Sequence, residues 1–149
     1  MLRLALYQPD IPQNTGTMLR MAACLGLCVE IIEPAGFDVS DRHLRRSGLD
    51  YLDRVAITRH RSWAAFEDWR RAADVRLVLA TTAGSIPYTT FGFDAGDCIL
   101  MGRESAGVPE AVHAAADARV VVPIQEGLRS LNVAVAAAMI LGEAIRQTR

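Results

Sequence analysis

The sequence predicts an α/β domain with a largely parallel sheet and helices on both of its faces. Short apolar runs, most of them rich in residues that favour strands, alternate along the chain with stretches of helical periodicity. Glycine or small polar residues directly follow several of these runs, as is typical of sheets that bind ligands beyond the carboxyl ends of their strands. The chain has 149 residues, 51% of them hydrophobic, which fits one domain over residues 1–149 with a packed core.

Six apolar runs are expected to form buried strands of the sheet. They cover residues 2–7, 29–32, 55–58, 75–80, 98–101 and 120–124. The loops after Ala80, Met101 and Ile124 are the first places to expect a ligand, because they bring glycine or small polar residues to the carboxyl edge of the predicted sheet.

Four stretches have the periodicity of helices, and they cover residues 15–25, 63–73, 109–116 and 130–147. Gly26 is expected to end the first helix, Ser62 to precede the second and Pro109 to open the third.

The last predicted helix is apolar on two faces. One stripe includes Val135 and Met139, and another includes Ile140 and Leu141. A helix that is apolar nearly all round has to be enclosed on both sides. A second copy of the chain is the simple candidate for the outer side, so a homodimer is expected; the alternative is that other elements of the same chain cover both stripes.

Composition narrows the setting in which the protein works. No apolar run approaches the roughly 20 residues needed to cross a membrane, and the first residues lack the basic segment and cleavage site of an export signal. We therefore expect a cytoplasmic protein with no membrane partner. Cys24, Cys28 and Cys98 lack the paired spacing of a disulfide framework or a zinc site, so they are interpreted as packing residues.

Residues 102–110, GRESAGVPE, form the most distinctive loop candidate. Their glycine spacing is that of a nucleotide-phosphate loop, but Val108 and Pro109 stand where a lysine and a hydroxyl residue are required. The G-x-G-x-x-G fingerprint of dinucleotide-binding folds is also absent after every strand. The segment is either a ligand loop of another kind or a loop whose glycines simply allow tight turns. Glu104 is its candidate for acid–base chemistry.

The segment from Asn14 to Gly26 has an ordinary interpretation. Asn14 is a good helix-capping residue, and Gly16 could simply let the chain turn. Arg20 would then be a solvated arginine on the polar face of an amphipathic helix, which is the common case.

The chain carries a net charge of only −1, yet one segment is strongly basic. Arg42, His43, Arg45 and Arg46 lie close together in the sequence. This segment is either a solvated face or a strip of cations that binds nucleic-acid phosphates, and the residues alone favour neither.

Other common kinds of functional site find no support in the sequence. No catalytic triad or metal-ligand spacing is visible, and no metal is expected. Trp63, Phe66 and Trp69 share helical spacing, which is more typical of packing than of a platform that stacks nucleic-acid bases.

Three segments in this order resemble the SPOUT superfamily of RNA methyltransferases. They are N-x-G followed by Arg20, G-x-E-x-x-G at Gly102 to Gly107, and VPI followed by SLNVAVAAAM. More narrowly, LYQPDIPQNTG, IIEPAGF and RRSGLDYLDR resemble the single-domain 2′-O-methyltransferases of the tRNA wobble nucleotide. This resemblance covers essentially the whole chain.

The resemblance implies a SPOUT fold whose carboxyl-terminal part is tied in a deep trefoil knot, which no periodicity can predict. Residues 77–84, 100–108 and 120–133 would form the knot, and their loops would bind S-adenosyl-L-methionine in a bent shape. The implied cofactor contacts are Ala80, Thr81, Gly102, Val122, Ser130 and Leu131. Two positions depart from the pattern, since Arg103 stands where many relatives have proline and Ala134 where serine is frequent.

The implied reaction is methyl transfer to the 2′-hydroxyl of the wobble cytidine or uridine in the anticodon stem-loop of tRNA. The resemblance assigns catalytic roles to Asn14, Arg20, Glu104 and Asn132. Arg20 is expected to clamp a phosphate rather than act as a base, because a guanidinium stays protonated.

Arg45 and Arg46 are expected to contact the tRNA. The alternatives are a catalytically silent RNA-binding module, a 2′-O-methyltransferase that acts on another tRNA or rRNA site, and a methyltransferase of small molecules.

Overall fold

The computed structural model describes residues 1–39 and 52–149, which build a seven-stranded sheet in the order β3-β2-β1-β6-β4-β7-β5. All the strand pairs of this sheet are parallel. The strands are β1 (Arg3–Tyr7), β2 (Cys28–Ile32), β3 (Ile57–His60), β4 (Leu77–Ala80), β5 (Ile86–Pro87), β6 (Cys98–Met101) and β7 (Ala118–Val121). The α-helices of the described ranges are α1 (Pro12–Leu25), α2 (Trp63–Ala72), α3 (Glu110–Ala115) and α4 (Val133–Thr148). A short 3-10 helix covers Leu52–Arg54.

Helices cover both faces of the sheet, as predicted. Successive residues of a strand point to opposite faces, so β1 contributes to two separate cores. Leu4 and Leu6 belong to the core that α1 and α4 cover, whereas Ala5 and Tyr7 belong to the core that α2 and α3 cover.

The predicted helix ends at Gly26 and Ser62 are confirmed. Gly26 ends α1 in the left-handed conformation with φ of 68°, which a residue without a side chain adopts at little cost. At the start of α2, the Ala65 backbone N–H donates a hydrogen bond to the Ser62 side chain over 3.1 Å. Pro109 is the N-terminal cap of α3 rather than its first residue.

The interpretation of Asn14 as the cap of the first helix is wrong. Helix α1 begins earlier, at Pro12, and its N-cap residue is Ile11, which makes no side-chain capping bond. Proline suits this first position because the N–H that it lacks has no partner within the helix. Gly16 does not form a turn either, since it lies buried inside α1.

The predicted last strand, residues 120–124, extends beyond the end of the observed strand β7. Strand β7 ends at Val121, because Pro123 has no N–H to donate to a neighbouring strand. The prediction that the last helix starts at residue 130 is also wrong, since α4 begins at Val133. Residues 122–132 therefore form a loop between β7 and α4.

The basic residues Arg42, His43, Arg45 and Arg46 lie outside the described residues. Within the described ranges, no helix combines the length and the apolar character that crossing a lipid bilayer requires.

Candidate active site

A cleft of about 470 Å³ lies at the carboxyl edge of the sheet, bordered by the loops that follow β4, β6 and β7. Its lining includes all six residues that the sequence predicted as cofactor contacts and three of the four predicted as catalytic. These nine residues are Ala80, Thr81, Gly102, Val122, Ser130, Leu131, Asn14, Glu104 and Asn132. The cleft is therefore where the predicted site residues come together.

Close approach of backbone segments shapes two walls of the cleft. The Thr81 backbone N–H donates to the Val120 carbonyl over 3.0 Å, which joins the loop after β4 to β7. A Cβ atom added to Gly84 would lie 2.8 Å from the Val120 carbonyl carbon and oxygen, so only glycine fits there. Any larger residue at position 84 would push the loop after β4 away from β7.

The loop after β6 is closed on itself by a pair of backbone hydrogen bonds. The Arg103 N–H donates to the Gly107 carbonyl over 3.0 Å, and the Gly107 N–H donates to the Arg103 carbonyl over 2.8 Å. A Cβ atom on Gly102 would lie 2.9 Å from the Gly107 carbonyl carbon, and Gly107 itself has φ of +62°. The two glycines therefore allow a compact turn that holds Glu104 beside the cleft.

Glu104 is tied to the loop after β1 by reciprocal hydrogen bonds with Asp10. The Asp10 backbone N–H donates to Glu104 Oε2 over 3.1 Å, and the Glu104 backbone N–H donates to Asp10 Oδ1 over 3.2 Å. Ser105 Oγ donates to Asp10 Oδ2, and Arg103 Nη2 lies 3.7 Å from the same oxygen. The sequence alone had not singled out Asp10, although it follows a buried strand at the carboxyl edge of the sheet.

The pKa values of Glu104 and Asp10 are shifted in opposite directions. Burial raises the pKa of Glu104, and the adjacent Asp10 carboxyl raises it further. The pKa of Asp10 is lowered, first by its side-chain interaction with Glu104 and then by Ser105 and Arg103. When the two acids hold one proton between them, Glu104 carries that proton and Asp10 carries the charge.

Asn132 joins the first and last helices at the mouth of the cleft. Its Oδ1 accepts hydrogen bonds from the backbone N–H groups of Ala134 over 2.8 Å and Val135 over 3.3 Å, which caps α4. Its Nδ2 donates to Asn14 Oδ1 over 2.9 Å. Asn132 is thus the N-cap of α4, and Ser130 lies in the preceding loop.

The sequence matches a known protein family along almost its whole length. A family model described as the SpoU rRNA Methylase family matches residues 1–142. The chain belongs to the SpoU rRNA methylase family.

Individual relatives and solved structures agree with this assignment. A tRNA (cytidine(34)-2'-O)-methyltransferase of Beijerinckia indica subsp. indica is 68% identical over 144 residues, which cover 97% of this chain and 90% of that protein. A structure described as giving insights into the 2-OH methylation of C/U34 on tRNA has a TM-score of 0.92 at 41% identity, covering 99% of this chain and 95% of that one. The SpoU methyltransferase AviRb of Streptomyces viridochromogenes, in complex with the cofactor AdoMet, has a TM-score of 0.87 at 32% identity, covering 99% of this chain and 57% of that one.

In this SpoU-family chain, Arg20 lies apart from the other predicted catalytic residues. It is exposed on α1 and is not among the described residues that line the cleft. A single copy of the chain therefore brings Asn14, Glu104 and Asn132 together but not Arg20.

The aromatic residues of α2 pack inside the molecule, as predicted. Phe66 is fully buried, and its ring lies 5.4 Å from that of Trp63 and 5.7 Å from that of Trp69. The His60 ring lies 5.2 Å from that of Phe66 and accounts for a further part of this packing. Over residues 1–39 and 52–149, no group of three or more His, Cys, Asp or Glu side chains is arranged to hold a metal ion.

Proposed function

We propose that this SpoU-family protein transfers a methyl group from S-adenosyl-L-methionine to the 2′-hydroxyl of the wobble cytidine or uridine of tRNA. The observation that carries the proposal is the meeting of Asn14, Glu104 and Asn132 with all six predicted cofactor residues at one cleft. The relative from Beijerinckia, whose name states 2′-O-methylation of cytidine 34 of tRNA, is matched along nearly the whole length of both chains.

The cleft fits an adenosine cofactor in size and chemistry. Its volume of about 470 Å³ is within the roughly 300–1,000 Å³ of small-molecule sites. Apolar side chains such as Val122 and Leu131 line it beside polar groups such as Thr81 and Ser130, which suits a ligand with both an aromatic ring and hydrogen-bonding groups. The close packing at Gly84 and Gly102 fixes the loops that carry Thr81 and Glu104 in the walls of the cleft.

When bound, S-adenosyl-L-methionine supplies a methyl group on a positively charged sulfur, open to attack by an oxygen nucleophile. A ribose hydroxyl is a weak nucleophile, so the residues of this chain have to hold it in line and help its proton leave. Asn132 has a fixed orientation for this work, because its amide is held by the start of α4 and by Asn14. Glu104 adds a carboxyl group at the same edge of the cleft.

We propose that three arginines bind the phosphate backbone of the RNA. Arg20 clamps a phosphate near the reacting ribose, and Arg45 and Arg46 hold the anticodon stem-loop. A guanidinium suits this role because its planar donors match the oxygens of a phosphate and its charge persists at every physiological pH.

The proposed active unit is a homodimer formed through α4. The helix buries Ala137, Ile140 and Leu141 against the sheet, but Val135 is 49% exposed and Met139 is 38% exposed. Exposed apolar side chains along one helix form a surface that favours association. A second copy packed there would bring its Arg20 towards the cleft of the first, which would complete the set of catalytic residues.

Methyl transfer to tRNA of known sequence tests the proposed function. Purified protein is incubated with cofactor labelled in its methyl group and an unmodified tRNA with cytidine or uridine at the wobble position. We expect label at that nucleotide alone. The matched control is the same RNA with 2′-deoxyribose at the wobble nucleotide, which should remain unlabelled.

Two outcomes of this experiment would contradict the proposal. Label at another nucleotide would make the protein a 2′-O-methyltransferase of a different site. RNA binding without methyl transfer, together with no cofactor binding at millimolar concentration, would make it a silent RNA-binding module.

A further inference from the structure

We propose that Asp10 is a positioning residue that fixes the direction of the Glu104 carboxyl group at the wall of the cleft and leaves Oε1 without a partner in the described part of the chain. The inference rests on the proposed function, because that function places a ligand in the cleft beside Glu104. It adds the loop after β1 to the active site.

The first argument is that the contacts between the two loops are reciprocal. Asp10 uses its backbone N–H to hold Glu104 Oε2, and Glu104 uses its own backbone N–H to hold Asp10 Oδ1. Rotation of the Glu104 side chain breaks its hydrogen bond with the Asp10 N–H, and rotation of the Asp10 side chain breaks its bond with the Glu104 N–H. The pair holds the two loops together, and the bond to Oε2 sets the direction of the Glu104 carboxyl group.

The second argument is that Asp10 has little room to move. A Cβ atom added to Gly36 would lie 2.7 Å from the Asp10 Cβ atom, and the Gly36 backbone N–H donates to the Pro9 carbonyl over 2.8 Å. The second carboxylate oxygen of Asp10 is held by Ser105 Oγ. Asp10 is thus fixed by its backbone, by close packing and by both of its oxygens.

The third argument is the state of the Glu104 carboxyl group itself. Oε2 is occupied by the Asp10 N–H, whereas Oε1 is inaccessible to solvent and has no hydrogen-bond partner in the described part of the chain. A buried polar atom without a partner costs free energy until a ligand satisfies it. Oε1 is therefore the oxygen of Glu104 that no residue in the described part of the chain satisfies.

The charges around the pair determine which acid holds the proton. In the described part of the chain, the charged groups that act on this pair are the two carboxyls themselves and Arg103, whose Nη2 lies 3.7 Å from Asp10 Oδ2. Arg103 and Ser105 stabilise the charge on Asp10, and that charge opposes ionisation of Glu104. Removing the charge of Asp10 should therefore lower the pKa of Glu104.

A titration of the ligand-free protein tests this inference without any turnover. The Glu104 carboxyl carbon is followed by NMR as a function of pH in the wild type and in Asp10→Asn, which keeps an oxygen that can accept from the Glu104 N–H. We expect the Glu104 pKa to fall in Asp10→Asn and, by a smaller amount, in Ser105→Ala. Asp68→Asn, which removes a charge at an exposed position of α2, is the matched control and should leave the Glu104 pKa unchanged.

A double-mutant cycle tests whether Asp10 acts through Glu104. We expect Asp10→Ala to lower kcat/KM for tRNA methylation by about tenfold, because it removes the carboxylate that accepts from the Glu104 N–H and from Ser105 Oγ. In a Glu104→Gln background the same change should have little further effect. An unchanged Glu104 pKa in Asp10→Asn, or fully additive losses in the cycle, would overturn the inference. The titration gives its answer even if the protein methylates no RNA, so failure of the proposed function is recognised separately.

Discussion

Asn132 performs two structural tasks with one side chain. Its oxygen caps α4, and its nitrogen donates to Asn14 of α1. These tasks can be separated, because aspartate keeps the capping oxygen and loses the amide donor.

We expect Asn132→Ala to destabilise the protein by about 1 kcal/mol, since it removes the cap. In a chain of this size that loss lowers the Tm by roughly 2–4 °C. Asn132→Asp should keep the stability and still reduce methyl transfer, because its carboxylate cannot donate to Asn14 Oδ1. Thermal unfolding and turnover are measured side by side. If Asn132→Asp were as active as the wild type, the contact between the two asparagines would have no part in the reaction.

Arg20→Ala should abolish methyl transfer and leave the cofactor affinity nearly unchanged, because its proposed contact is with an RNA phosphate near the reacting ribose and not with the cofactor. Arg20→Lys should also be poor, since lysine offers a point charge in place of two parallel donors. Titration calorimetry measures the affinity and a methyl-transfer assay the rate. Arg71→Ala, at an exposed arginine of α2, is the control. Normal turnover by Arg20→Lys would argue against a bidentate contact with phosphate.

Sequence patterns found most residues of the candidate site but not the links between them. Glu104 stood out as the acid in a glycine-rich loop, and the cofactor residues came from the resemblance. Asp10 was missed because its partner lies 94 positions away in the sequence. A contact of that kind depends on which strands are neighbours, and no local pattern specifies this.

At the scale of elements, α4 shows what helical periodicity can and cannot predict. The sequence correctly predicted two apolar stripes, and the structure shows that one of them packs against the sheet. Ala134 and Ala137 are buried in the core of their own chain, whereas Ala138 and Gly142 are exposed. Periodicity gives the faces of a helix but not which neighbour covers each.

The outer stripe of α4 supplies a test of the dimer. We expect the wild type to sediment as a dimer at low micromolar concentration and Val135→Glu to sediment as a species of about 16.2 kDa, because a charge in an apolar interface is costly. The matched control is Ala64→Glu, at an exposed position of α2. A wild type that is active and monomeric would refute the dimer.

Element boundaries were predicted less well than the elements themselves. The six long strands were found, although the last was extended past Pro123. Strand β5 was missed because two residues, Ile86 and Pro87, are too few to have a period. The trefoil knot stays a prediction from the resemblance.

At the scale of the whole molecule, binding of an anionic RNA has to come from local charge, because the net charge is only −1. We expect the double variant Arg45→Ala and Arg46→Ala to bind tRNA more weakly and with a smaller dependence on salt, since fewer counterions are released. Binding is measured at several salt concentrations. Arg70 and Arg76 are not mutated, because they form ion pairs within the chain. An identical affinity and slope would mean that these arginines are only a solvated surface.

The hydrogen bond between Asn14 and Asn132 joins positions that are 118 residues apart, and it lies at the mouth of the cleft. During synthesis, the segment that supplies Asn14 leaves the ribosome long before its partner has been translated. Strand β1 likewise cannot form all of its pairings until β6, its neighbour on one side, has been synthesised. Contacts of such long sequence separation form slowly, because a large loop has to close before they contribute any free energy. The nascent chain can therefore hold neither cofactor nor RNA in the arrangement proposed here until its last helix has emerged, and the site is assembled in a single late step.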